Sequence, residues 1–553
     1  MRSFPVSAMN NTLLHDPRPS SLNACVDEDG QFDPVKFCAY TARMGEESRQ
    51  RIANAVNQSY AEHLSDDDLS WDEDDETPPK KRRAKKTGVM ARRTDDGELE
   101  PILPEDTIWW AVYINNFPVD DRRSQAKFRN RFRLPHANFR ELVLDCKQNE
   151  LFSRWLGKDA VGQDSSPIEL LILGTLRYLG RGWTFDDLEE STAISREVHR
   201  VFFHQFIEFG STVLVERYIN TPVNAEEASR HMAEFKMAGL DGGMASSDGT
   251  HVVTEGCEYN LKQVHKGGKT DQTTRTFNTT VNHRRRVLHT TKGGPGRWND
   301  KTMVRFDEFL CGIRSGKILE DIEFELLEIG PEGEVVTVKY QGGYVIVDNG
   351  YLRWSCTVPP FKVTLDQREI RWSKWVESMR KDVECTFGIL KGRWRILKTG
   401  IRVEGVDAVD KIWLTCCALH NWLLDIDGLD EHWDGDGLLS TVESDWTGEM
   451  GNHDFVFEGK VPDQVSRLVG NLDPRYDASG LGAGTDVAEA HPIDLDTEDV
   501  DDESVNFVEG EVRVVKNLSL GYFRKKLVEH FDIKWQRNEI KWPSRRGPAP
   551  VSH

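Results

Sequence analysis

The sequence predicts an α/β protein in which an all-α, helix-turn-helix-like region precedes a mixed-sheet core and acidic, disordered tails flank both. Three observations lead there. Residues 240–425 read as strands first and helices afterwards, with a carboxylate at the ends of two strands. Residues 127–209 carry helical apolar periods separated by helix stops. The segments before about residue 105 and after about 430 are polar and charge-blocked, with little to bury. The expected divisions are 1–105, 106–235, 236–428 and 429–553.

Bulk properties narrow the function classes. A chain of 553 residues is too long for one core. The hydrophobic share, 38%, leaves part of it outside any core. A formal charge of −21 excludes a generally basic coat, so a nucleic-acid binder of this charge must gather its lysines and arginines locally. No apolar run approaches the ~20 residues of a membrane helix, and the opening "MRSFPVSAMNNTLLHDPRPSS" lacks the apolar core of a secretory signal. No membrane role is expected. The nine cysteines are scattered without a C-x-x-C pair, which suits reduced thiols in the cytosol or nucleus.

In chain order, the acidic run "SDDDLSWDEDDE" (65–76) is followed by the basic run "PPKKRRAKK" (78–86). Behind prolines in a polar setting, Lys80, Lys81, Arg82, Arg83, Lys85 and Lys86 read as a nuclear-import signal, and nuclear localisation follows. The alternative is a solvated charge cluster. Globular character begins at "TIWWAVYINNFP" (107–118). "KFRNRFRLPHANFRELVLDC" (127–146) mixes aromatic and basic residues before becoming an amphipathic helix. "SPIELLILGTLRYLGRG" (166–182) has a proline near its first turn and a glycine stop. A short helix, 184–194, leads to "SREVHRVFFHQFIEF" (195–209), with Ser195 as N-cap and an apolar stripe of Val198, Val201, Phe202, Phe206 and Phe209. This succession suits a helix-turn-helix unit whose last helix carries Arg196 and Arg200 toward DNA, and equally a plain three-helix bundle.

"MASSDGTHVVTE" (244–255) reads as strand, carboxylate, turn. "TRTFNTTVNHRRRVLHTT" (274–291) reads as two strands about a turn at Asn282-His283, and 323–340 as a hairpin turning at Gly-Pro-Glu-Gly. In "VIVDNGYLRW" an apolar strand ends at Asp348 before Asn-Gly. Long helical stretches follow at 365–394 and 409–425. Beyond about 430 come acidic loops such as "DLDTEDVDDES" (494–504), and one amphipathic piece, 518–531, that reads as a docked helix or a partner-binding element.

Asp248 at a strand end, Asp348 at another and Glu384 within a helix are the candidate catalytic acids. Carboxylates are hard ligands for Mg²⁺ or Mn²⁺, and a pair of such ions ~3.5–4 Å apart can activate an attacking oxygen and steady a leaving one. Strand ends and packed helices hold such groups without ordering a loop. Asp and Glu together number 92, so the flanking words must carry the specificity.

Those words are "SSDGTHV", "GPGRWND" (294–300), "GGYVIVDNGYLRW", "RKDVECTFGILKGRWRIL" and "CCALHNWLLD", in that order. Together they resemble the DDE transposases of the PIF/Harbinger superfamily, in its plant-transposon-protein branch, over roughly 120–425. The resemblance implies a ribonuclease H-like fold, with Asp248, Asp348 and Glu384 as first, second and third catalytic acids. It adds Asp300 as a fourth metal-ligand candidate beside them. A spacing of 36 residues from Asp348 to Glu384 suits the family. Asp382 and Glu377 are rival acids on the same helix, and Glu384 itself has an alternative as a surface acid paired with Arg380 or Lys381. The implied activity is metal-dependent hydrolysis and strand transfer on transposon ends and target DNA, with two Mg²⁺ or Mn²⁺ ions. At least a dimer in the active complex and a separately encoded Myb-like DNA-binding partner are also expected. The competing reading is a domesticated DNA-binding regulator without transposition activity. Lys127, Arg129, Arg131, Arg133, Arg196, Arg200, Lys266, Arg284 and Arg285 are the candidate DNA contacts, chiefly through phosphates.

Overall fold

The computed structural model describes residues 90–158, 165–257, 261–267, 272–427 and 512–541. The runs at 65–76, 78–86 and 494–504, and with them the six import residues Lys80 to Lys86, lie outside the described residues. After a short hairpin, β1 (Ala91–Arg93) with β2 (Leu99–Pro101), the chain turns helical. Helices α1 (Arg122–Phe132), α2 (His136–Gln148), α3 (Ile168–Arg181), α4 (Phe185–Thr192) and α5 (Arg196–Phe209) follow one another. Their ends follow local chemistry. The Asp121 carboxylate caps α1 by accepting from Ser124 N–H, and Gly182 in the left-handed region stops α3. Thr184 and Asp187 form a reciprocal capping box on α4, and Ser195 caps α5.

The expected stripe on α5 proves wider. Phe202, Phe206 and Phe209 are buried, Val198 and Val201 only partly, and His199, Phe203 and Ile207 are buried as well. The helix sits between neighbours, so it needs apolar or neutral groups on more than one face. One neighbour comes very close: a Cβ on Gly174 of α3 would lie 2.8 Å from His199 Cε1, so only glycine lets the two helices approach this far.

After α6 (Ala225–Met237) the sheet begins. The strands are β3 (Gly243–Val253), β4 (Thr274–Val281), β5 (Val287–Thr290) and, after helices α7 (Asp300–Val304) and α8 (Glu308–Ser315), a separate antiparallel hairpin of β6 (Glu323–Ile329) and β7 (Val335–Gln341). Then come β8 (Tyr344–Ile346) and β9 (Thr357–Val358). The main sheet runs in the order β9-β8-β3-β4-β5, with Gly294–Pro295 pairing β4 off this path. It is mixed: β3 pairs antiparallel with β4 but parallel with β8, and β8 with β9 is also parallel.

One expectation about β3 is corrected here. The sequence places Asp248 at the end of a short strand, whereas β3 continues to Val253 with Asp248 opposite Thr279. The unbroken antiparallel partner β4 supplies ladder bonds on past Asp248, so Asp-Gly does not turn.

Helix α9 (Gln367–Arg393) has 27 residues and is therefore ~40 Å long. It spans two apolar cores. Trp372, Trp375, Val376 and Met379 pack with Tyr344, Val345, Ile346 and Val347 in one core. Val383, Phe387 and Leu390 pack with β4, the helices α1 to α5 and α10 (Val406–Ile426) in the other. The helical region and one side of the sheet thus share a single core. The amphipathic piece near the end is a docked helix, α11 (Leu520–Gln536), preceded by β10 (Arg513–Val514), which adds parallel to β7. Phe523, Leu527 and Phe531 enter the second core. Ion pairs and a hydrogen bond fix the dock: Arg513 donates to Glu328 at 2.7 Å, Lys534 pairs with Asp241 at 2.8 Å, and His530 Nε2 donates to the same carboxylate at 2.8 Å.

Candidate active site

Three of the four candidate acids meet above the centre of the sheet. Asp248 stands on β3, and Asp348 lies two residues past β8, the strand hydrogen-bonded beside it. Each accepts from a nearby glycine amide, Gly249 N–H at 2.9 Å and Gly350 N–H at 2.7 Å. Asp300 is the first residue of α7, behind the N-cap Asn299. Its carboxylate comes so close that a Cβ on Gly249 would lie 2.9 Å from Oδ1, and one on Gly350 2.6 Å from Oδ2. Both glycines therefore give room for a third carboxylate.

Glu384 reaches the group through Arg380. The Arg380 guanidinium donates to Asp248 Oδ2 at 3.3 Å and to Glu384 Oε1, one helical turn on, at 2.8 Å. The surface pairing weighed from the sequence is thus present, and the same arginine bridges to the first acid. Of the rivals, Asp382 is buried and bonded to His283 at 2.6 Å, which removes it from the site. Glu377 is exposed two turns before Glu384. Farther along α9, Lys391 donates to Thr250 Oγ1 and His251 O, both at 2.8 Å, pinning helix to strand just past Asp248. Burial pulls the Lys391 ammonium down to about 8.

The electrostatics are strained. Burial pushes the Asp248 carboxyl up to about 7, Arg380 pulls it back, and Asp348 and Asp300 push it up again. Beneath lies a buried polar network: Asn278 on β4 donates to Ser247 Oγ at 3.2 Å and to Asp307 Oδ2 at 2.6 Å, and accepts from the Tyr351 hydroxyl. Burial, and the charges of Asp248, Asp300 and Asp348, raise Tyr351 so that it stays a neutral donor. These supporting residues were missed in the sequence. The available signals were an asparagine inside a fully buried strand and an arginine four residues before Glu384.

The donor set is all carboxylate oxygen, which suits a hard divalent cation. Among the described residues, however, no three His, Cys, Asp or Glu side chains stand close enough to hold one ion. In this arrangement the guanidinium of Arg380 is the cation between Asp248 and Glu384.

The basic candidates separate into two kinds. Lys127, Arg131, Arg196, Arg200 and Lys266 are exposed. Arg196 lies 3.7 Å from Asp186, and Arg200 is forked onto Glu197 at 2.6 and 2.8 Å, so a phosphate must compete with those acids. The others serve the fold. Arg129 clamps Asp427 with two contacts of 2.8 Å. Arg133 is 3% exposed, and Arg284 is buried against Glu234 at 2.5 Å, which puts both beyond the reach of a duplex on this surface. Arg285 takes φ 66° and lies 3.8 Å from Asp382.

The curated "Protein ALP1-like" of Arabidopsis thaliana is 24% identical over 260 residues, covering 46% of this chain, and the match spans 59% of that relative's length. No solved structure matches. The model of the DDE superfamily endonuclease family matches residues 247–421, a stretch that contains all four candidate acids. Over those residues the chain carries a DDE superfamily endonuclease domain.

Proposed function

We propose that the protein is a PIF/Harbinger-type DDE endonuclease and transposase, cutting phosphodiester bonds at transposon ends and joining them to target DNA. The observation that carries this reading is the meeting of Asp248 and Asp348, from adjacent strands, with Asp300 at the start of α7, and with Glu384 tied to them across Arg380. The mixed five-strand path, the first acid on its central strand and the third on a helix packed across it support a ribonuclease H-like core. Mg²⁺ or Mn²⁺ bound to these carboxylates would supply Lewis-acid activation of the phosphodiester and of the attacking oxygen. The protein's own part is to hold Asp248, Asp300, Asp348 and Glu384 on rigid mounts and to keep their charges apart with Arg380. Arg380 contacts one oxygen of each carboxylate, Asp248 Oδ2 and Glu384 Oε1, so an arriving cation would compete with it for Asp248 and Glu384. The helix-turn-helix-like unit α3 to α5, with Arg196 and Arg200 exposed, supports binding of DNA. Nuclear import by Lys80 to Lys86, at least a dimer in the active complex and a Myb-like partner complete the proposal.

A second reading has one observation in its favour. The Arg380 bridge satisfies both Asp248 and Glu384 without metal, as a DNA-binding regulator that no longer cuts would need. Strand cleavage of duplexes bearing candidate terminal repeats, with Mg²⁺ or Mn²⁺, decides between them. The transposase reading expects cleavage that a chelator abolishes and that falls by orders of magnitude in Glu384→Gln while DNA binding persists. Binding without cleavage under every divalent ion leaves the regulator. Cleavage at the normal rate in Glu384→Gln refutes the assignment of that acid.

A further inference from the structure

A cavity of about 410 Å³ opens where α1, α3 and the chain just beyond α9 meet. Its wall carries five cations, Lys127 and Arg131 from α1, Arg177 and Arg181 from α3, and Arg395, and among the described residues no carboxylate. Lys127 with Arg131 and Arg177 with Arg181 are each one helical turn apart, so two rows of positive charge face each other across packed helices. The inner members are held in place. Arg177 lies over the Trp183 ring at 4.2 Å and donates to Arg131 O at 3.2 Å, and Arg181 donates to Asn130 O at 2.9 Å. Lys127, Arg131 and Arg395 are exposed at the mouth.

We propose that this pocket seats a backbone phosphate of the DNA engaged at the acids. This rests on the nuclease reading above and adds a site to it. Guanidinium forks match phosphate oxygens in shape and charge, and preset forks lose little freedom on binding. The Arg177 guanidinium is pulled down to about 10 by burial and by its neighbours Arg181 and Arg131, the mark of a positive field that an anion relieves. The place in the fold chooses the anion. Arg395 follows Glu384 by eleven residues on and just past one continuous helix, a separation of ~17 Å. At ~3.4 Å per nucleotide that is about five nucleotides of a duplex strand. One rigid rod would thus set the distance between the cut and the held phosphate.

The test uses the full chain with chelator present and a fluorescent duplex of about 20 base pairs, titrated from ~50 to ~200 mM salt. Lys127→Gln with Arg395→Gln changes two exposed side chains, and an unchanged circular dichroism spectrum and melting temperature certify the fold. Losing the hold on that one phosphate should lower the salt slope by about 0.9, so that the wild type loses about 3.5-fold more affinity than the variant across that range. At ~50 mM salt the variant should bind at least about three-fold more weakly. Equal affinity and equal slope overturn the pocket and leave the nuclease reading standing. Duplex binding with the expected loss, but no cleavage under any divalent ion, keeps the pocket and removes the nuclease. Tighter duplex binding by the variant overturns the proposal in favour of an acidic segment of this chain as the occupant.

Discussion

Asp248→Asn should make the protein more stable while it destroys the site. Folded, the Asp248 carboxyl is pushed up to about 7 from an ordinary 3.8, first by burial and then by Asp348 and Asp300 against the pull of Arg380. A rise of roughly three units corresponds to about 4 kcal/mol held against folding once the group is ionised, at ~1.4 kcal/mol per unit. The side chain is 18% exposed, so water relieves part of this, and about 2–4 kcal/mol is the expected gain. Asparagine keeps an oxygen to accept from Gly249 N–H. The sign is fixed by proton counting. Between pH ~4 and ~7 the folded chain holds this proton more firmly than the unfolded chain, so its contribution falls as pH rises through that window. Melting curves of the two proteins should therefore coincide near pH 4, separate between 4 and 7, and differ by several degrees at pH 8. Mn²⁺ should raise the wild type and leave the asparagine variant where it was, because the ion offsets the same repulsion. A variant that melts at or below the wild type at pH 8 refutes the reasoning, as does a gap that persists unchanged at pH 4.

Two further outcomes follow from the packing. Phe531 of α11 is fully buried between Trp375 and Trp535, with ring centroids 5.8 and 5.9 Å away, so Phe531→Ala should lower unfolding stability by about 3–5 kcal/mol in urea titrations. A loss under about 1 kcal/mol would mean that α11 rests on the hairpin without bracing it. His199 and His420 are each held by burial down to about 3, far below an ordinary 6.5. Both must fold neutral, so stability is lost as pH falls below about 6.5, by roughly 2 kcal/mol per histidine at pH 5. His420→Gln should flatten the fall in urea midpoint between pH 7 and 5 by about one proton's worth, and an unaltered slope would refute this assignment.

What the sequence made legible was whatever depends on near neighbours. Pro167, Gly182, Ser195 and the apolar periods placed α3 and α5 to within two or three residues, because caps and stripes are local. The strand before Asp348 was equally plain, since Val345, Ile346 and Val347 needed no partner to read as buried. Asp248 was harder. Asp-Gly is a turn signal in isolation, and only β4, some thirty residues on, keeps the strand going. The fates of the arginines were illegible for the same reason. Arg129 and Asp427 are 298 residues apart, and Arg284 finds Glu234 at a separation of 50. A run such as "HRRRV" shows charge and says nothing of which guanidinium will meet a carboxylate inside.

Those hidden partners bear on the chemistry. The second core is closed by α11, whose His530 donates from Nε2 to Asp241 while its Nδ1 accepts from Leu327 N–H. Burial pushes Asp241 up, yet His530 and Lys534 more than offset it and hold the carboxyl below its ordinary range. Asp241 stands two residues before β3, the strand that carries Asp248. On the far side, Arg371 of α9 reaches Asp532 of α11 at 2.8 Å, nine residues before Arg380. One helix thus grips both the strand of the first acid and the rod of the third. The repulsion among the carboxylates at Asp248 can persist only where such mounts resist relaxation, since a loose site would let like charges drift apart. The distant segment of β10 and α11 therefore belongs to the machinery that keeps the acids together, although none of its described residues touches them.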